Sequence, residues 1–173
     1  ETGRKLIYGE NTWNEAKAWV SDGNSFALMG DGTNAFIYKF YVNNLEAKNC
    51  YRISSSVATD VLSADFYAFS STRSVLFYVK NNTLYAYNYD IGNERVDMIP
   101  LETTDEITML KFDLTMEPMK DALYIATYSA IEGGSLRKYY VGNNPDKVEL
   151  KSDPKAVWKG LTKVKNMSWR ALL

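Results

Sequence analysis

The sequence predicts an all-β protein, a partial β-propeller of about three four-stranded antiparallel blades plus one extra C-terminal strand. Aromatic residues make up 14% of the 173-residue chain, and they collect in short runs of the kind that forms half-buried strands. Residues that tolerate positive φ, such as Asn81-Asn82 and Gly133-Gly134, separate the runs and predict hairpin turns. The predicted hairpins also recur at a nearly constant spacing, which favours a propeller over other all-β folds.

The spacing of the hairpins defines the blades. Their second strands begin in steps of about 48 and about 52 residues, near the roughly 40 to 50 residues typical of propeller blades, at Phe36, Leu84 and Leu136. One further strand-like run precedes each hairpin and another follows it. The first of these runs is Lys5–Tyr8, before the first hairpin, and the last is 147–150, after the third hairpin. The predicted blades therefore occupy about 4–53, 65–99 and 106–150.

Residues of about 161–170 have the alternation of one more strand. A single strand does not make a blade, and a propeller closes with roughly four to eight blades. We therefore expect residues 1–173 to form a single propeller-like domain that is the C-terminal part of a larger protein. Two copies that complete one another are the alternative route to closure. An open twisted sheet or a β-sandwich is the alternative fold.

The composition excludes several kinds of chemistry. The chain has no His, so neither Ser-His-Asp nor Cys-His catalysis is available within it. Cys50 is its one cysteine, so no intrachain disulfide or thiolate zinc site can form, and we predict no metal and no cofactor. Lys and Arg number 20 against 21 acidic residues, which leaves no basic surplus for nucleic-acid binding. The chain contains no run of about 18 apolar residues, so we predict no transmembrane segment within it.

Five stretches of the chain carry short characteristic motifs, namely Thr2–Tyr8, Ala64–Ser70 leading into Val75–Tyr78, Asn82–Tyr89, Glu106–Phe112 and Trp158–Val164. In this order, they resemble a family of surface lipoproteins of Bacteroidetes, the PKD-like family. The resemblance covers nearly the whole chain and matches the C-terminal half of the larger family members. It departs from the family pattern in the stretch 10–23.

The resemblance implies an exported, lipid-anchored protein at the outer-membrane surface of the cell envelope. Family members tend to be encoded beside nutrient-uptake systems of the outer membrane. This implies a role in capturing glycans or peptides, with an outer-membrane uptake complex as a partner. The family offers no established catalytic or ligand-binding residues to transfer to this chain.

The sequence places its best ligand-binding candidates in the stretch 10–23, which we predict as a long connection with at most a helical turn over 14–19. Exposed aromatic rings stack on sugar C–H groups while polar neighbours fix the orientation. Long loops on rigid scaffolds also often carry function. The alternative is that the rings pack on a blade as a lid. The candidates are Trp13, Trp19, Asn14 and Glu15.

Acidic residues offer a second functional hypothesis. Glycoside hydrolysis needs two carboxyl groups about 5 to 9.5 Å apart, and eight acids stand near predicted turns or strand ends, namely Asp31, Asp65, Asp90, Asp105, Glu106, Asp113, Glu117 and Asp121. Such positions are typical of solvated or turn-capping carboxylates, so we assign no catalytic residue. The sequence thus favours a non-enzymatic binding or scaffolding module. An envelope carbohydrate-active enzyme and a purely structural interaction module are the alternatives.

Overall fold

The structure is a computed structural model, and all of its extended elements belong to antiparallel sheets. Three four-stranded sheets form in sequence order, each with its strands side by side in the order in which they occur along the chain. The prediction of an all-β protein is confirmed. One short 3-10 helix, Thr59–Ser63, accompanies the strands in the part of the chain that the structure describes. This part comprises residues 15–21, 24–30, 34–41, 50–57, 59–70, 73–112, 122–142 and 144–167.

The strands are numbered in chain order. The first sheet consists of β1 (Glu15–Ser21), β2 (Asn24–Gly30), β3 (Ala35–Tyr41) and β4 (Cys50–Arg52). The second sheet consists of β5 (Phe66–Phe69), β6 (Val75–Lys80), β7 (Thr83–Asn88) and β8 (Arg95–Ile99). The third sheet consists of β9 (Glu106–Phe112), β10 (Ala122–Ser129), β11 (Gly133–Val141) and β12 (Leu150–Leu161). The described residues group into two compact units: the first sheet with the 3-10 helix and segment 89–94, and the second and third sheets together.

The first strand of the first sheet is β1, and the predicted first strand at 5–8 lies outside the described residues. The prediction of a connection with a helical turn is therefore wrong for residues 15–21, which are extended and pair with β2. The register shifts between Ala16 and Ala18, so Lys17 is the extra residue of a β-bulge. Because a bulge interrupts the two-residue period, the sequence pattern conceals the strand.

The first unit has a small apolar core that one polar side chain helps to organise. Leu28 and Ile37 are fully buried on neighbouring strands. The backbone N–H of Ile37 donates to the buried Ser54 hydroxyl over 2.8 Å, so the chain after β4 is tied to β3. The Ser55 hydroxyl donates to the carboxylate of Glu94, in segment 89–94, over 2.8 Å. Burial raises the pKa of the Tyr89 hydroxyl in the same segment.

The second and third sheets pack face to face around the largest apolar cluster of the second unit. Phe77 on β6 and Phe112 on β9 stack with ring centroids 6.4 Å apart and planes inclined by 17°. Fully buried Leu84 and Leu123 belong to the same cluster. The first strands of the two sheets, β5 and β9, are neighbours. The segments that enter these two strands therefore meet at one end of the unit.

The fourth strand of the third sheet differs from the prediction. It runs over Leu150–Leu161 instead of 147–150, and described residues 162–167 are not the predicted closing strand. Two irregularities interrupt its pairing with β11, one opposite Lys138 and one opposite Ser135. Pro154, which cannot donate a ladder hydrogen bond, lies in the first. Gly160, with φ of 68°, lies in the second, where positive φ suits a bulge. These breaks make one long strand resemble two short ones in the sequence.

Beyond β12 the chain crosses the outer face of the third sheet, the face turned away from the second sheet. We call residues 162–167 the strap. Val164 and Met167 of the strap pack on the buried cluster of Met109, Tyr124 and Ala126. The Lys111 ammonium donates to the Asn166 side chain over 3.1 Å and to the backbone carbonyl of Met167. The strap is thereby fixed across the strands of the sheet.

Candidate functional site

A cleft of about 490 Å³ lies at the end of the second unit where β5 and β9 begin. Four parts of the chain contribute to its wall: the entry to β5, the turn between β6 and β7, the bulged start of β9, and the strap. Its volume is within the roughly 300 to 1,000 Å³ typical of small-ligand sites. The lining residues are Asp65, Phe66, Val79, Asn82, Glu106, Ile107, Thr108, Lys163 and Lys165.

Asn82 braces the wall of the cleft. Asn81 and Asn82 have φ of 51° and 57°, the pair of positive values that a two-residue type I′ hairpin turn requires. The Asn82 amide donates to the backbone carbonyls of Thr104 and Asp105 over 3.4 and 3.2 Å, and its carbonyl oxygen accepts from the N–H of Ile107 over 2.7 Å. The turn of the second sheet is thereby attached to the start of β9. Asn82 is a positioning residue whose side chain is already occupied.

Thr108 lies at an irregularity of β9. Ala126 pairs with Met109 while Thr127 pairs with Ile107, so Thr108 is the extra residue of a β-bulge. It is only 5% exposed, and its hydroxyl has no hydrogen-bond partner among the described residues. Leaving a buried hydroxyl unsatisfied costs about 1 to 3 kcal/mol. The wall of the cleft thus contains a buried hydroxyl whose hydrogen bond is unmade within the described residues.

The charged groups of the cleft divide into one pair and two single charges. The Lys163 ammonium lies 2.9 Å from a carboxylate oxygen of Glu106 and 5.3 Å from the ring centroid of Tyr128. Asp65 and Lys165 are exposed and form no ion pair with a described residue. The described lining therefore carries two positive and two negative formal charges, which cancel.

Apolar side chains complete the wall. Val79 and Ile107 are buried members of the core between the two sheets, and Phe66 packs against the same core. Their contribution to the cleft is a rigid apolar surface beside the polar groups. A wall of this kind suits the carbon skeleton of a small polar molecule.

The second cleft of this unit, of about 350 Å³, lies between β8 and the chain leading into β12. Several of its polar groups are partnered. The Asp97 carboxylate accepts from the N–H of Val148 over 2.9 Å and from Arg95 over 3.1 Å. Lys147 and Glu149 form an ion pair of 3.3 Å. The bond between Asp97 and Val148 attaches β8 to the segment leading into β12, and the partnered groups make the second cleft the weaker candidate.

None of the ligand-binding residues predicted from the sequence belongs to the described lining of the cleft. Trp13 and Asn14 lie outside the described residues. Glu15 and Trp19 lie in β1 of the first unit, where their backbones pair with Gly30 and Ala27, so neither belongs to a long connection as predicted. Ligand binding by these four residues stays a prediction.

Two of the eight acids considered for catalysis, Asp65 and Glu106, line the cleft. Asp105 accepts from Asn82 through its backbone carbonyl but is not among the described residues that line the cleft, and Asp90 belongs to the first unit. The described residues contain no group of three or more His, Cys, Asp or Glu side chains arranged to hold a metal ion. The remaining acids lie outside the described residues: Asp31, Asp113, Glu117 and Asp121.

Most of the residues that shape the cleft are not indicated by the sequence. The turn at Asn81-Asn82 is legible, but nothing in the sequence links the Asn82 side chain to β9. Thr108 occupies a bulge that the alternation does not reveal. Lys163 and Lys165 belong to a stretch that the alternation assigns to a strand. The spacing of these two lysines places both on one side of an extended segment, which is the one signal that pairs them.

Comparison of the chain with protein-family models, with curated proteins and with solved structures finds no match. In the described part of the chain, no helix has the length and apolar character needed to cross a membrane. The site must therefore be interpreted from its own geometry and chemistry.

Proposed function

We propose that this chain is a non-enzymatic binding module of a bacterial cell-surface lipoprotein and that the cleft captures a small polar unit of a glycan or peptide for nutrient uptake. One observation carries the binding function. Thr108 lines the cleft, and its buried hydroxyl has no hydrogen-bond partner among the described residues. The resemblance to the PKD-like lipoproteins supports the location at the outer-membrane surface and the association with an uptake complex.

The physical argument for binding starts from the cost of this hydroxyl. A buried polar group without a partner is destabilising, and native proteins contain few of them. A ligand that hydrogen-bonds to Thr108 recovers this cost on binding. Asn82 and Ile107 hold the start of β9 through a 2.7 Å hydrogen bond, so the hydroxyl is presented by a braced backbone. Such pre-organisation lowers the entropic cost of binding.

The propeller is our proposal for the architecture. It is supported by three sheets of four antiparallel strands in simple sequential order, which is the strand arrangement of a propeller blade. Within the second unit, the face-to-face packing of two such sheets and the proximity of β5 and β9 are also what neighbouring blades require. Additional strands from a larger protein, or from a second copy, would complete the ring.

The binding function is tested with a pair of matched variants. Thr108→Val keeps the shape of the side chain and removes the unpartnered hydroxyl. Thr127→Val does the same to a buried hydroxyl that accepts from Arg137 over 3.4 Å on the neighbouring strand. We expect Thr108→Val to raise stability by about 1 kcal/mol, and Thr127→Val to lower it by about 1 kcal/mol.

Binding is measured on the isotopically labelled protein by titration of amide NMR signals with glucose, N-acetylglucosamine and the dipeptide L-alanyl-L-alanine. We expect at least one probe to shift the signals of the cleft backbone. Thr108→Val should weaken its binding about tenfold, the equivalent of one lost hydrogen bond of roughly 1.4 kcal/mol. Thr127→Val should leave it unchanged. If no probe at millimolar concentration shifts the cleft signals, the cleft is not a binding site for this class of ligand.

Catalysis is the second candidate function, because Asp65 and Glu106 line one cleft and glycoside hydrolysis needs two carboxyl groups. The test is release of reducing sugar from polysaccharides by the purified protein. Turnover that Glu106→Gln abolishes would replace binding with catalysis as the function. Because Glu106 already pairs with Lys163, we expect no turnover.

The aromatic site predicted from the sequence needs a separate test. Trp13→Ala combined with Trp19→Ala should abolish retention on a cognate immobilised glycan if these rings stack on sugars. Unchanged retention in this double variant, together with loss in Thr108→Val, would assign binding to the cleft alone. Copurification with an uptake complex without affinity for any small ligand would instead indicate a purely structural module.

A further inference from the structure

We propose that the ligand of the cleft is a zwitterion, an amino acid or a short peptide with a free ammonium group and a free carboxylate. This inference rests on the proposed binding function of the same cleft. It depends on three groups that line one cleft and lack a partner among the described residues: the Asp65 carboxylate and the Lys165 ammonium group, which form no ion pair there, and Thr108, whose hydroxyl accepts and donates no hydrogen bond there.

The four charges of the cleft are not equivalent. Lys163 and Glu106 neutralise each other at 2.9 Å, so a ligand gains little from pairing with either of them. Asp65 forms no ion pair with a described residue, and its backbone N–H donates to the carbonyl of Val79 over 2.8 Å, which fixes its position at the entry to β5. Lys165 likewise forms no ion pair with a described residue, and the strap that carries it is anchored by Val164. One anchored charge of each sign is thus available.

A bound ligand covers these two charges and removes water from them. Desolvation of a charge is costly unless an opposite charge replaces the lost hydration. A neutral ligand leaves both Asp65 and Lys165 without a counter-charge, and an anion or a cation leaves one of them. A zwitterion compensates both. The observed charges therefore favour a zwitterion over a neutral sugar and over an ion of either sign.

The remaining lining groups suit the other parts of such a ligand. The wall of Phe66, Val79 and Ile107 is apolar and suits an aliphatic side chain. The Thr108 hydroxyl can donate to a carboxylate or a peptide carbonyl. The cleft of about 490 Å³ has room for an amino acid or a short peptide.

The experiment uses four probes that differ only in their terminal charges. They are L-alanyl-L-alanine, its N-acetyl derivative, its C-terminal amide, and the compound with both ends blocked. Titrations at pH 6 keep the free amino group charged, because an α-amino group titrates near pH 8. We expect the zwitterion to bind at least tenfold more tightly than the doubly blocked compound, with each singly charged probe between them.

Two variants test the assignment of each charge. In Asp65→Asn, the zwitterion should lose its advantage over the N-acetyl derivative and keep its advantage over the amide. In Lys165→Gln, the pattern should be the reverse. Glu132→Gln and Lys159→Gln are matched controls, because both side chains are exposed and neither lines the cleft. Both controls should bind all four probes as the parent protein does.

The outcomes separate this inference from the proposed function. If none of the probes and no sugar shifts the cleft signals, the binding function itself fails. If the doubly blocked compound or glucose binds as tightly as the zwitterion, the cleft binds ligands but the zwitterion assignment is overturned. If Asp65→Asn and Lys165→Gln weaken all four probes equally, these residues act through the fold, and the charge assignment is again overturned.

Discussion

Gly134 on β11 is the position where one methyl group should disturb both the third sheet and the cleft. A Cβ atom built on Gly134 would lie 1.9 Å from the carbonyl oxygen of Thr162, the first residue of the strap, and 2.8 Å from its carbonyl carbon. Real Cβ contacts are essentially never closer than 3.0 Å. In Gly134→Ala, the added methyl group would collide with backbone atoms of Thr162 and not with a flexible side chain, so the strap has to withdraw by about 1 Å.

The magnitude follows from what the strap buries. Overpacking a tight site costs about 1 to 3 kcal/mol. Withdrawal of the strap also exposes part of Val164 and Met167, and full burial of such a side chain contributes about 1.5 to 3 kcal/mol. We therefore expect Gly134→Ala to lower the free energy of unfolding by about 2 to 4 kcal/mol. At about 2 to 4 °C per kcal/mol for a chain of this size, Tm should fall by roughly 5 to 15 °C.

The assay is urea unfolding followed by tryptophan fluorescence, with a second glycine as the control. Gly160 on β12 has φ of 68° and nothing within 4 Å of its Cβ position. Gly160→Ala therefore reports only the backbone cost of positive φ, about 1 to 2 kcal/mol. Where space is available and φ is compatible, Gly→Ala instead stabilises by about 0.4 to 1 kcal/mol. Unchanged or increased stability of Gly134→Ala would therefore refute the close approach of the strap.

Three further predictions concern the braces and the core of the second unit. Asn82→Ala should lower stability by about 2 to 3 kcal/mol in urea unfolding, because three hydrogen bonds of about 1 kcal/mol each are lost. Asn81→Gly is the control at the neighbouring position of positive φ and should be neutral or stabilising. Burial and the hydrogen bond to Glu102 raise the pKa of the Tyr139 hydroxyl. Its neutral form therefore stabilises the fold below pH 10, and this contribution to stability is lost as the pH rises beyond 10. Between pH 9 and pH 11, the urea midpoint should fall less in Tyr139→Phe than in the parent protein. Phe77→Ala should lower stability by about 3 to 5 kcal/mol in the same unfolding assay, because Phe77 is fully buried between the two sheets.

The second sheet is the part of the fold that the sequence predicted best. The predicted blade 65–99 matches β5 to β8 within one residue at either end. Each strand there is short and unbroken, and the positive-φ pair Asn81-Asn82 provides the turn that the sequence indicates. Local propensity and turn chemistry agree throughout this sheet, which is the condition under which sequence patterns are most informative.

The first and third sheets show why other predictions were wrong. In β1 the bulge at Lys17 breaks the alternation, so the strand resembled a loop with a helical turn. In β12, Pro154 and Gly160 interrupt a strand that remains paired with β11 on both sides of each break. A pattern with period two detects only regular strands, and these strands owe their continuity to pairing with a neighbour.

Most of the candidate site could not be predicted from the sequence either, because it too depends on how the strands pack against their neighbours. The sequence indicates Asp65 and Glu106 as candidate catalytic acids, but their placement in one cleft depends on how β5 and β9 lie side by side in the folded unit. Thr108 carried no signal, because its importance comes from burial without a partner. Composition supplies residue types, whereas only the packed structure determines which hydrogen bonds remain unmade.

The irregular positions of the third sheet also explain how the cleft is built. The bulge in β9 inserts Thr108 into the wall of the cleft. The bulge at Gly160 precedes the turn of the chain into the strap, which brings Lys163 within 2.9 Å of Glu106 at the start of β9. A regular strand would continue along the sheet edge and leave both the outer face and the cleft without these side chains. Because bulges redirect side chains at a cost in ladder hydrogen bonds, the two bulges at Thr108 and Gly160 support the proposal that this end of the unit binds a ligand.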